Sequence, residues 1–301
     1  MSLTAEKLMA SSGGEAYEIE QSLMFNKPDD PYMVRTPSST GNRDIWTFSC
    51  WYKPCVAEYA GYIFTSKNDP GTSGDPLFYL YHDAGNLVVY HGLPGVNYYY
   101  KPNQLLQDLS GWYHIVLAWD TTQGTGSNRV KLWTNGEAVT SWSVYNDWPQ
   151  NTDTNLNWTD ANNVFGAAYG QNSSGEISGE QIGYIAEAYL LDGVAADHED
   201  FGETNASTNQ WIPKKYSGSY GTNGFYLPFA KNERYSVYCD GSSSTGIQIA
   251  DNSDFTLGTN SFTVEAWVYR DEAAGANGYI CGQSNSSGAT SSSSINLGIN
   301  T

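Results

Sequence analysis

Residues 129–142 read RVKLWTNGEAVTSW, and this stretch decides the class of fold. At its centre, Asn135-Gly136 is the strongest short-range signal of a β-hairpin, because a type I′ turn requires a positive φ at both central residues. Pairing outward from the turn joins Trp133 to Ala138. The stretch therefore predicts two antiparallel strands connected by a tight turn.

The two faces of this hairpin differ in composition. Side chains alternate between the faces of a strand, so apolar residues at every second position mark the face that packs on a core. The predicted core face carries Val130, Leu132 and Val139. Continued pairing puts residue 129 opposite residue 142, and the second face then carries Arg129, Lys131, Trp133 and Trp142. Two indole rings on a face predicted to meet solvent need a cover, and the sequence does not identify it.

Charge and composition disfavour several classes of function. The 301-residue chain has a formal charge of −18, which opposes the phosphate contacts that nucleic-acid binding requires. The same charge disfavours binding to an anionic membrane, and no stretch has the ~20 apolar residues of a membrane span. Only 15% of residues are charged, against about 25% in typical domains, while 23 are Tyr and 10 are Trp. This composition is typical of a rigid β protein.

The cysteines are expected to be reduced thiols. There are four, too few and too scattered for a disulfide scaffold: Cys50, Cys55, Cys239 and Cys281. The first two lie about 16 Å apart along one extended run, beyond the reach of a disulfide. The N-terminal MSLTAEKLMASSGG lacks the basic start and the apolar run of a secretory signal, so export by that route is not predicted.

Beyond residue 20 we expect short strands separated by turns. Gly, Asn, Asp and Pro punctuate runs of strand composition, namely GYIFTS, PLFYLYH, NLVVYHG, GWYHIVLAWD, RVKLWT, AVTSW, GYIAEAYLL and NGFYLPF. Such a series predicts an all-β fold, an antiparallel two-sheet sandwich or jelly roll. Residues 112–119, WYHIVLAW, are apolar on both faces and predict a central strand that is covered on both sides. His114 within it is expected to be a core histidine with a backbone partner rather than a metal ligand.

An internal repeat divides the chain. SLMFN at 22–26 leads to WTFSCWYKP at 46–54, and SVYCD at 236–240 leads at a similar distance to FTVEAWVYR at 262–270. The repeat predicts that a second sandwich begins near residue 231. Its strands are too few to close a sandwich, so either the chain is the N-terminal part of a longer protein or a neighbouring subunit completes this part.

Three parts follow from this reading. Residues 1–20 are an N-terminal attachment arm, in which residues 3–10 are expected to form a short helix. Residues 21–230 form the first sandwich, and residues 231–301 are the partial second one.

Several of these stretches resemble laminin-G-like domains of the concanavalin A-like lectin/glucanase superfamily. The most specific pair is GWYHIVLAWDTT followed by NRVKLWTNGE, a strand with Trp-x-His and then the hairpin. The opening SLMFN…WTFSCWYK and the closing DFGETNASTNQWIPKKYSGSYGTNGFYLPF are similar to versions in large virion proteins of tailed phages, particularly marine ones. The resemblance covers residues 22–229 and, more weakly, 236–301. It implies two packed antiparallel sheets whose first and last strands are adjacent.

The superfamily includes glycoside hydrolases, but this sequence lacks their pattern of acids. A retaining glycosidase needs two carboxyl groups about 5 Å apart, and the family's hydrolases that carry them on one strand use Glu-x-Asp-x-x-Glu. Here Glu187 stands alone in GYIAEAYLLDG, and Asp192 follows the end of the predicted strand. We therefore expect no enzymatic activity.

The resemblance also implies that Ca²⁺ can bind at the rim of such a sandwich. Asp153, Asn155 and Asn157 match only the first half of a calcium loop, without the glycine and the distal glutamate. Asn and Asp also dominate ordinary turns. An ordinary loop is the preferred interpretation, these three residues are weak calcium candidates, and no other cofactor is expected.

Clustered aromatic residues are the candidate binding residues. They are Trp133, Trp142, Trp148 and Trp158, with Tyr98, Tyr99 and Tyr100 as a second cluster. Flat rings beside amide side chains suit sugars, and surfaces rich in Tyr, Ser, Asn and Gly also suit proteins. Packing under a loop or subunit, contact with a partner in a particle and glycan binding all remain open for these rings.

The resulting hypothesis is a virion-associated adhesion protein of a tailed phage, in a tail fibre or on the capsid surface. In one version a lectin-like module binds a host-surface glycan or protein. In the other, the protein is a structural capsid decoration or tail connector that binds no sugar. Either version predicts synthesis in the bacterial cytoplasm, a place on the virion surface, contacts with other virion proteins through the arm, and a homo-oligomer.

Overall fold

The computed structural model describes residues 17–56, 61–68, 76–168, 178–229, 278–283 and 295–299, the last two ranges by their backbone only. The chain divides into two compact units, Met1–Glu233 and Arg234–Thr301. Most of the strands predicted for the second repeat and the helix predicted at residues 3–10 lie outside the described residues. Within the described residues, no helix is long and apolar enough to cross a membrane.

The described residues form strands and three short 3-10 turns, at Lys27–Asp29, Gly126–Asn128 and His198–Asp200. In chain order the strands are β1 (Leu23–Phe25), β2 (Met33–Arg35), β3 (Ile45–Pro54), β4 (Gly61–Asn68), β5 (Leu77–Asp83), β6 (Asn86–Leu93), β7 (Val96–Pro102), β8 (Tyr113–Asp120), β9 (Val130–Thr134), β10 (Glu137–Ala138), β11 (Trp142–Tyr145), β12 (Ala161–Phe165), β13 (Gly183–Asp192), β14 (Gly202–Thr204), β15 (Trp211–Pro213), β16 (Phe225–Leu227), β17 (Gly278–Gln283) and β18 (Ile295–Ile299).

Two antiparallel sheets of seven strands form a sandwich, which confirms the predicted fold class. Sheet A has the order β1-β13-β3-β8-β9-β10, and β16 also pairs with β13. Sheet B has the order β11-β7-β6-β5-β4-β12-β2. β14 pairs with β15, and in the second unit β17 pairs with β18. The first and last described strands of the first unit, β1 and β16, both pair with β13, as the resemblance implies.

The β9–β10 hairpin has the predicted turn but is shorter than predicted. Asn135 and Gly136 have φ values of 52° and 79°, and Trp133 pairs with Ala138. The predicted pair of residues 129 and 142 is wrong, because the chain crosses to sheet B and Trp142 pairs with Pro102 of β7. Trp142 therefore packs at the edge of the central core.

A large aromatic core fills the space between the sheets. Its fully buried side chains include Trp46, Phe48, Phe64, Phe78 and Trp119, whose rings contact one another. Because each buries on the order of 150–250 Å² on folding, such rings dominate the stability of the core. The two described cysteines, Cys50 and Cys55, are free thiols.

A second hydrophobic cluster lies on the outer face of sheet A, beneath the segment that follows β13. Val116, Trp133 and Tyr189 project from the sheet, and Phe201 and Tyr216 of that segment pack on them. We call residues 194–220 the cover. The cover explains why β8 is buried along both faces, as the sequence predicted, and it supplies the missing partner of Trp133, which is only 7% exposed.

Stacked rings attach the cover to sheet A. In order, the rings belong to Trp51, His114, Trp211, His198 and Trp133, with neighbouring centroids 4.8, 5.9, 5.4 and 5.4 Å apart. We call this row the ring ladder. Trp211 also lies against the hairpin turn, where a Cβ on Gly136 would come within 2.3 Å of the indole.

His114 at the centre of the ladder has side-chain partners rather than the backbone partner that the sequence suggested. The indole Nε1 of Trp211 donates to His114 Nδ1 at 2.9 Å, and Ser49 Oγ lies 3.0 Å from Nε2. An indole N–H can only donate, so Nδ1 must be unprotonated and the imidazole neutral. Burial, with a smaller effect from His198, lowers the pKa of His114 to about 3.

We expect the free energy of unfolding to fall as the pH drops below about 6.5, the pKa of histidine in an unfolded chain. Burial also lowers the pKa of His91 to about 3, so both histidines take up a proton on unfolding at any pH between these values. Each then lowers stability by up to about 1.4 kcal/mol per pH unit.

Urea titrations between pH 7 and pH 4 measure this slope. His114→Gln keeps an acceptor and a donor but does not titrate, so its slope should be shallower by one proton. An unchanged slope in that variant would contradict the neutral, buried state of His114.

Candidate functional site

Trp148 is a core residue, so its assignment as a binding candidate is wrong. It is 0% exposed, packs on His91 and Trp119, and donates its indole N–H to the carbonyl of Thr152 at 2.9 Å. A ring with no exposed surface cannot stack on a ligand. The polar sequence around it, NDWPQN, concealed its burial.

The other tryptophan candidates are also engaged by the chain itself. Trp133 belongs to the ring ladder and is almost fully buried. Trp142 is half-buried against Tyr145 at the edge of the core. Trp158 is half-buried, and the guanidinium of Arg43 lies 4.4 Å from its ring centre. The four rings therefore do not form one binding surface.

The tyrosine cluster is divided between the two faces of β7. Tyr98 and Tyr100 point into the core, and Tyr100 is 0% exposed, so Tyr100 is not a surface binding residue. Tyr99 points to the outer face of sheet B and is 37% exposed. The period of two residues in a strand accounts for this division, and it leaves Tyr99 as the candidate that can reach a ligand.

Tyr99 ends a row of five tyrosines on the outer face of sheet B. The row crosses four neighbouring strands and consists of Tyr62 of β4, Tyr79 and Tyr81 of β5, Tyr90 of β6 and Tyr99 of β7. Neighbouring ring centroids lie 4.7 to 5.7 Å apart. We call this row the tyrosine stripe. Tyr79 is buried among its neighbours, while the other four rings keep exposed surface.

Two tight hairpins bring the stripe together. Asp83 pairs with Asn86 around a turn at Ala84-Gly85, and Leu93 pairs with Val96 around a turn at residues 94–95. Both turns contain a glycine with φ near 80°, which other residues rarely adopt. These registers place Tyr79 opposite Tyr90, and Tyr90 opposite Tyr99. These tyrosine pairs could have been predicted from the sequence. A two-residue turn fixes the register of the two strands it joins, and alternation along a strand fixes the face on which each side chain lies.

Three phenol groups of the stripe, those of Tyr79, Tyr81 and Tyr90, are neutral hydrogen-bonding groups. Burial, and then the neighbouring phenols, raise the pKa of Tyr81 to about 12 and also raise the pKa of Tyr79 and Tyr90. Tyr90 donates to Asn97 Oδ1 at 2.7 Å, and Asn146 Oδ1 accepts from the backbone N–H of Tyr99. The arrangement offers ring faces together with hydroxyl and amide groups, which suits a ligand with both apolar and hydroxylated faces.

A groove lies at one edge of the sandwich, between β9–β10 of sheet A and β11 of sheet B. Its volume is about 400 Å³. Trp133, Trp142 and Tyr145 contribute to its lining, together with Val130, Leu132 and Val139. The groove is largely apolar.

The acids that the sequence singled out have structural partners. Glu187 is 4% exposed, and its carboxylate accepts hydrogen bonds from Tyr17 at 2.6 Å, Tyr226 at 2.7 Å and Tyr189 at 2.9 Å. Asp192 is buried and accepts from the backbone N–H groups of Asn42 and Asn223. With its oxygens engaged by three phenols, Glu187 is not placed to attack or protonate a sugar.

The weak calcium candidates make separate hydrogen bonds. Asp153 is exposed and pairs with Arg43 at 2.9 Å. Asn155 and Asn157 are fully buried, and their amide groups donate to Ser66 and to the carbonyl of residue 42, respectively. Among the described residues, no three His, Cys, Asp or Glu side chains are grouped so that they could hold a metal ion.

Comparison with known proteins identifies a family. Residues 29–181 match Laminin_G_3, a family of the concanavalin A-like lectin/glucanases superfamily. No curated protein matches the chain. Among solved structures, the native heptameric SAP-like pentraxin of Limulus polyphemus is similar, with 18% identity and a TM-score of 0.44 over 61% of this chain and 82% of that one.

Two further solved structures are similar at the same level. The Ruminococcus gnavus IT-sialidase CBM40, solved with α2,3-sialyllactose, has 16% identity and a TM-score of 0.40 over 56% of this chain and 95% of that one. Domains LG4-5 of the mouse laminin α1 chain have 12% identity and a TM-score of 0.42 over 72% of this chain and 50% of that one.

We expect Trp148→Ala to lower the free energy of unfolding by about 3–5 kcal/mol, because it opens a cavity in the aromatic core. Trp158→Ala is the matched control: it removes a half-buried ring and one cation–π contact and should cost about 1 kcal/mol. Urea denaturation of both variants measures the difference. Equal costs would contradict the core position of Trp148.

Proposed function

Because the chain belongs to the concanavalin A-like lectin/glucanases superfamily, we propose that its first unit binds an oligosaccharide through the tyrosine stripe. The observation that carries this proposal is the continuous row of five tyrosine rings on the outer face of sheet B. The proposed function is binding without hydrolysis of the sugar, because the carboxylate of Glu187 accepts hydrogen bonds from three tyrosine hydroxyls.

The dimensions of the stripe favour an extended ligand over a single sugar. Four neighbouring strands span about 14 Å at their usual spacing. The rings are already packed on one another, so little side-chain entropy is lost on binding, and tyrosine brings a large contact area with only two rotatable bonds. Sugar C–H faces can stack on the rings while sugar hydroxyls bond to the phenol and Asn groups.

The charge of the protein favours an uncharged ligand. The chain carries −18, and a polyanionic glycan would be repelled at long range. Burial raises the pKa of Tyr81 in the stripe to about 12, so this phenol is neutral at physiological pH. We therefore propose neutral surface oligosaccharides as the ligand class.

We further propose that the protein acts on the virion surface of a tailed phage, in a tail fibre or on the capsid. The support is the similarity of its opening and closing stretches to phage virion proteins. One shallow stripe reaching millimolar affinity corresponds to about −4 kcal/mol. Many copies on one particle raise the effective affinity about 10²- to 10⁴-fold. The alternative is a structural decoration or connector that binds no sugar and leaves the stripe without a ligand.

Tyr99→Ala should weaken oligosaccharide binding about 10-fold, because it removes the most exposed ring of the stripe at a cost of about 1.4 kcal/mol in binding free energy. An array of neutral bacterial surface oligosaccharides identifies a ligand, and calorimetry measures its affinity for the full chain and the variant. Tyr32→Ala is the control, since Tyr32 is 46% exposed and lies beside β2, at the opposite edge of sheet B. Equal binding by both variants, or no binding to any neutral oligosaccharide, would exclude the stripe as a glycan site.

Deleting residues 1–16 should abolish incorporation into particles while leaving oligosaccharide binding intact. The deletion retains Tyr17, whose hydroxyl bonds to Glu187 at 2.6 Å, so the described fold keeps this contact. Immunoblots of purified particles measure incorporation. Normal incorporation of the deleted chain would contradict the role of the arm.

A further inference from the structure

Two asparagine side chains with fixed orientations lie at one end of the tyrosine stripe. The hydroxyl of Tyr90 donates to Asn97 Oδ1 at 2.7 Å, and the backbone N–H of Tyr99 donates to Asn146 Oδ1 at 2.7 Å. The backbone N–H of Asn146 in turn donates to the carbonyl of Tyr99 at 3.1 Å, so Asn146 lies directly beside Tyr99. We call Tyr90, Tyr99, Asn97 and Asn146 the amide end of the stripe.

Both amide groups present donors rather than acceptors to a ligand. An asparagine side chain has one acceptor oxygen and one NH₂ group with two donor hydrogens. A backbone N–H can only donate, so the oxygen of Asn146 faces Tyr99, and the hydroxyl of Tyr90 likewise engages the oxygen of Asn97. The two NH₂ groups have no hydrogen-bond partner among the described residues, and Asn97 is exposed. The groups left for a ligand are therefore N–H donors at the edge of two aromatic rings.

The ring of Tyr90 is held in one position by its neighbours. A Cβ on Gly92 would lie only 2.9 Å from the hydroxyl oxygen of Tyr90, so the far end of the ring extends over this glycine. Asn97 pairs with Gly92 across the strands, which places its oxygen at the Tyr90 hydroxyl. The rings of Tyr79 and Tyr99 have centroids 5.7 and 4.7 Å from that of Tyr90. A ring that is fixed before the ligand arrives loses little freedom on binding.

An acetamido group is the sugar substituent that matches this arrangement. Its carbonyl oxygen only accepts hydrogen bonds, and its methyl group is apolar, so the methyl can contact a tyrosine ring while the carbonyl accepts from Asn97. A sugar hydroxyl offers no methyl to the ring and uses only its acceptor side against an N–H donor. A few polar groups placed around an apolar surface are what makes a binding site specific.

A carboxylate also accepts hydrogen bonds, so an acidic sugar is the competing ligand. Lys101 lies two positions beyond Tyr99 on the same face of β7 and would attract it. The exposed Asp147, next to Asn146, would repel it. The chain as a whole carries −18, which opposes the approach of an anion. The balance of charge favours the uncharged acetamido group.

We propose that the amide end is the subsite for the acetamido group of an N-acetylated amino sugar within a neutral oligosaccharide. Tyr90 and Tyr99 supply the ring surface for the methyl group, and the NH₂ groups of Asn97 and Asn146 donate to the carbonyl oxygen. The assignment rests on the proposed binding of oligosaccharides by the tyrosine stripe and narrows the class of ligand.

Calorimetry of the full chain with two matched tetramers tests the subsite. One tetramer consists of β1,4-linked N-acetylglucosamine and the other of β1,4-linked glucose, so they differ only in the group at C2. The N-acetylated tetramer should bind about 10-fold more tightly, the combined effect of one hydrogen bond and one methyl contact. Asn97→Asp keeps an oxygen for the Tyr90 hydroxyl but replaces the N–H donors by an acceptor, so it should remove this preference. Asn103→Asp is the control, because it makes the same change of charge at an exposed residue just beyond β7 and should keep the preference.

The outcomes separate this subsite from the function of the stripe as a whole. Equal binding of the two tetramers, or a preference that survives Asn97→Asp, would overturn the acetamido subsite and leave oligosaccharide binding by the stripe in place. Tighter binding of a galacturonic acid tetramer would also overturn it, because the charge of Lys101 would then decide the ligand. A chain that binds no neutral oligosaccharide would overturn the proposed function and the subsite together.

Discussion

The burial of β8 on both faces is the constraint on which the rest of the first unit depends. Its inward side chains, such as Leu117 and Trp119, are covered by sheet B, and its outward Val116 needs a second layer. A two-layer sandwich would leave that second face in water. The cover supplies this second layer: it packs on the outer face of sheet A and is attached there by the ring ladder. The domain therefore has three layers at this place.

This requirement also determines which aromatic residues remain for binding. The cover and the two cores take up Trp133, Trp148 and Tyr100, which the clustering in the sequence had suggested for ligands. On sheet B, four rings of the tyrosine stripe keep exposed surface. The proposed binding surface is thus formed by rings that the two hydrophobic clusters do not take up.

Local patterns in the sequence predicted the strands, the hairpin turn and the central strand, because alternation and turn chemistry act over a few residues. They did not predict the cover, since the contact of Trp211 with His114 joins segments far apart in the chain. The crossing of the chain from β10 to β11 was missed for the same reason. The tyrosine stripe could have been predicted from the sequence. Alternation assigns Tyr99 to one face of its strand and Tyr98 to the other, and the tight turns align the neighbouring strands.

The position of β13 affects how this domain can be produced as a separate fragment. The family match ends at residue 181, just before β13 begins at Gly183, yet β13 lies between β1 and β3 inside sheet A. A recombinant piece cut at the limits of the match would lose that interior strand, together with Trp211 and the whole cover. Its exposed strand edges and indoles would favour aggregation. Expression boundaries should therefore follow the hydrogen-bonded sheet rather than the conserved profile of the family.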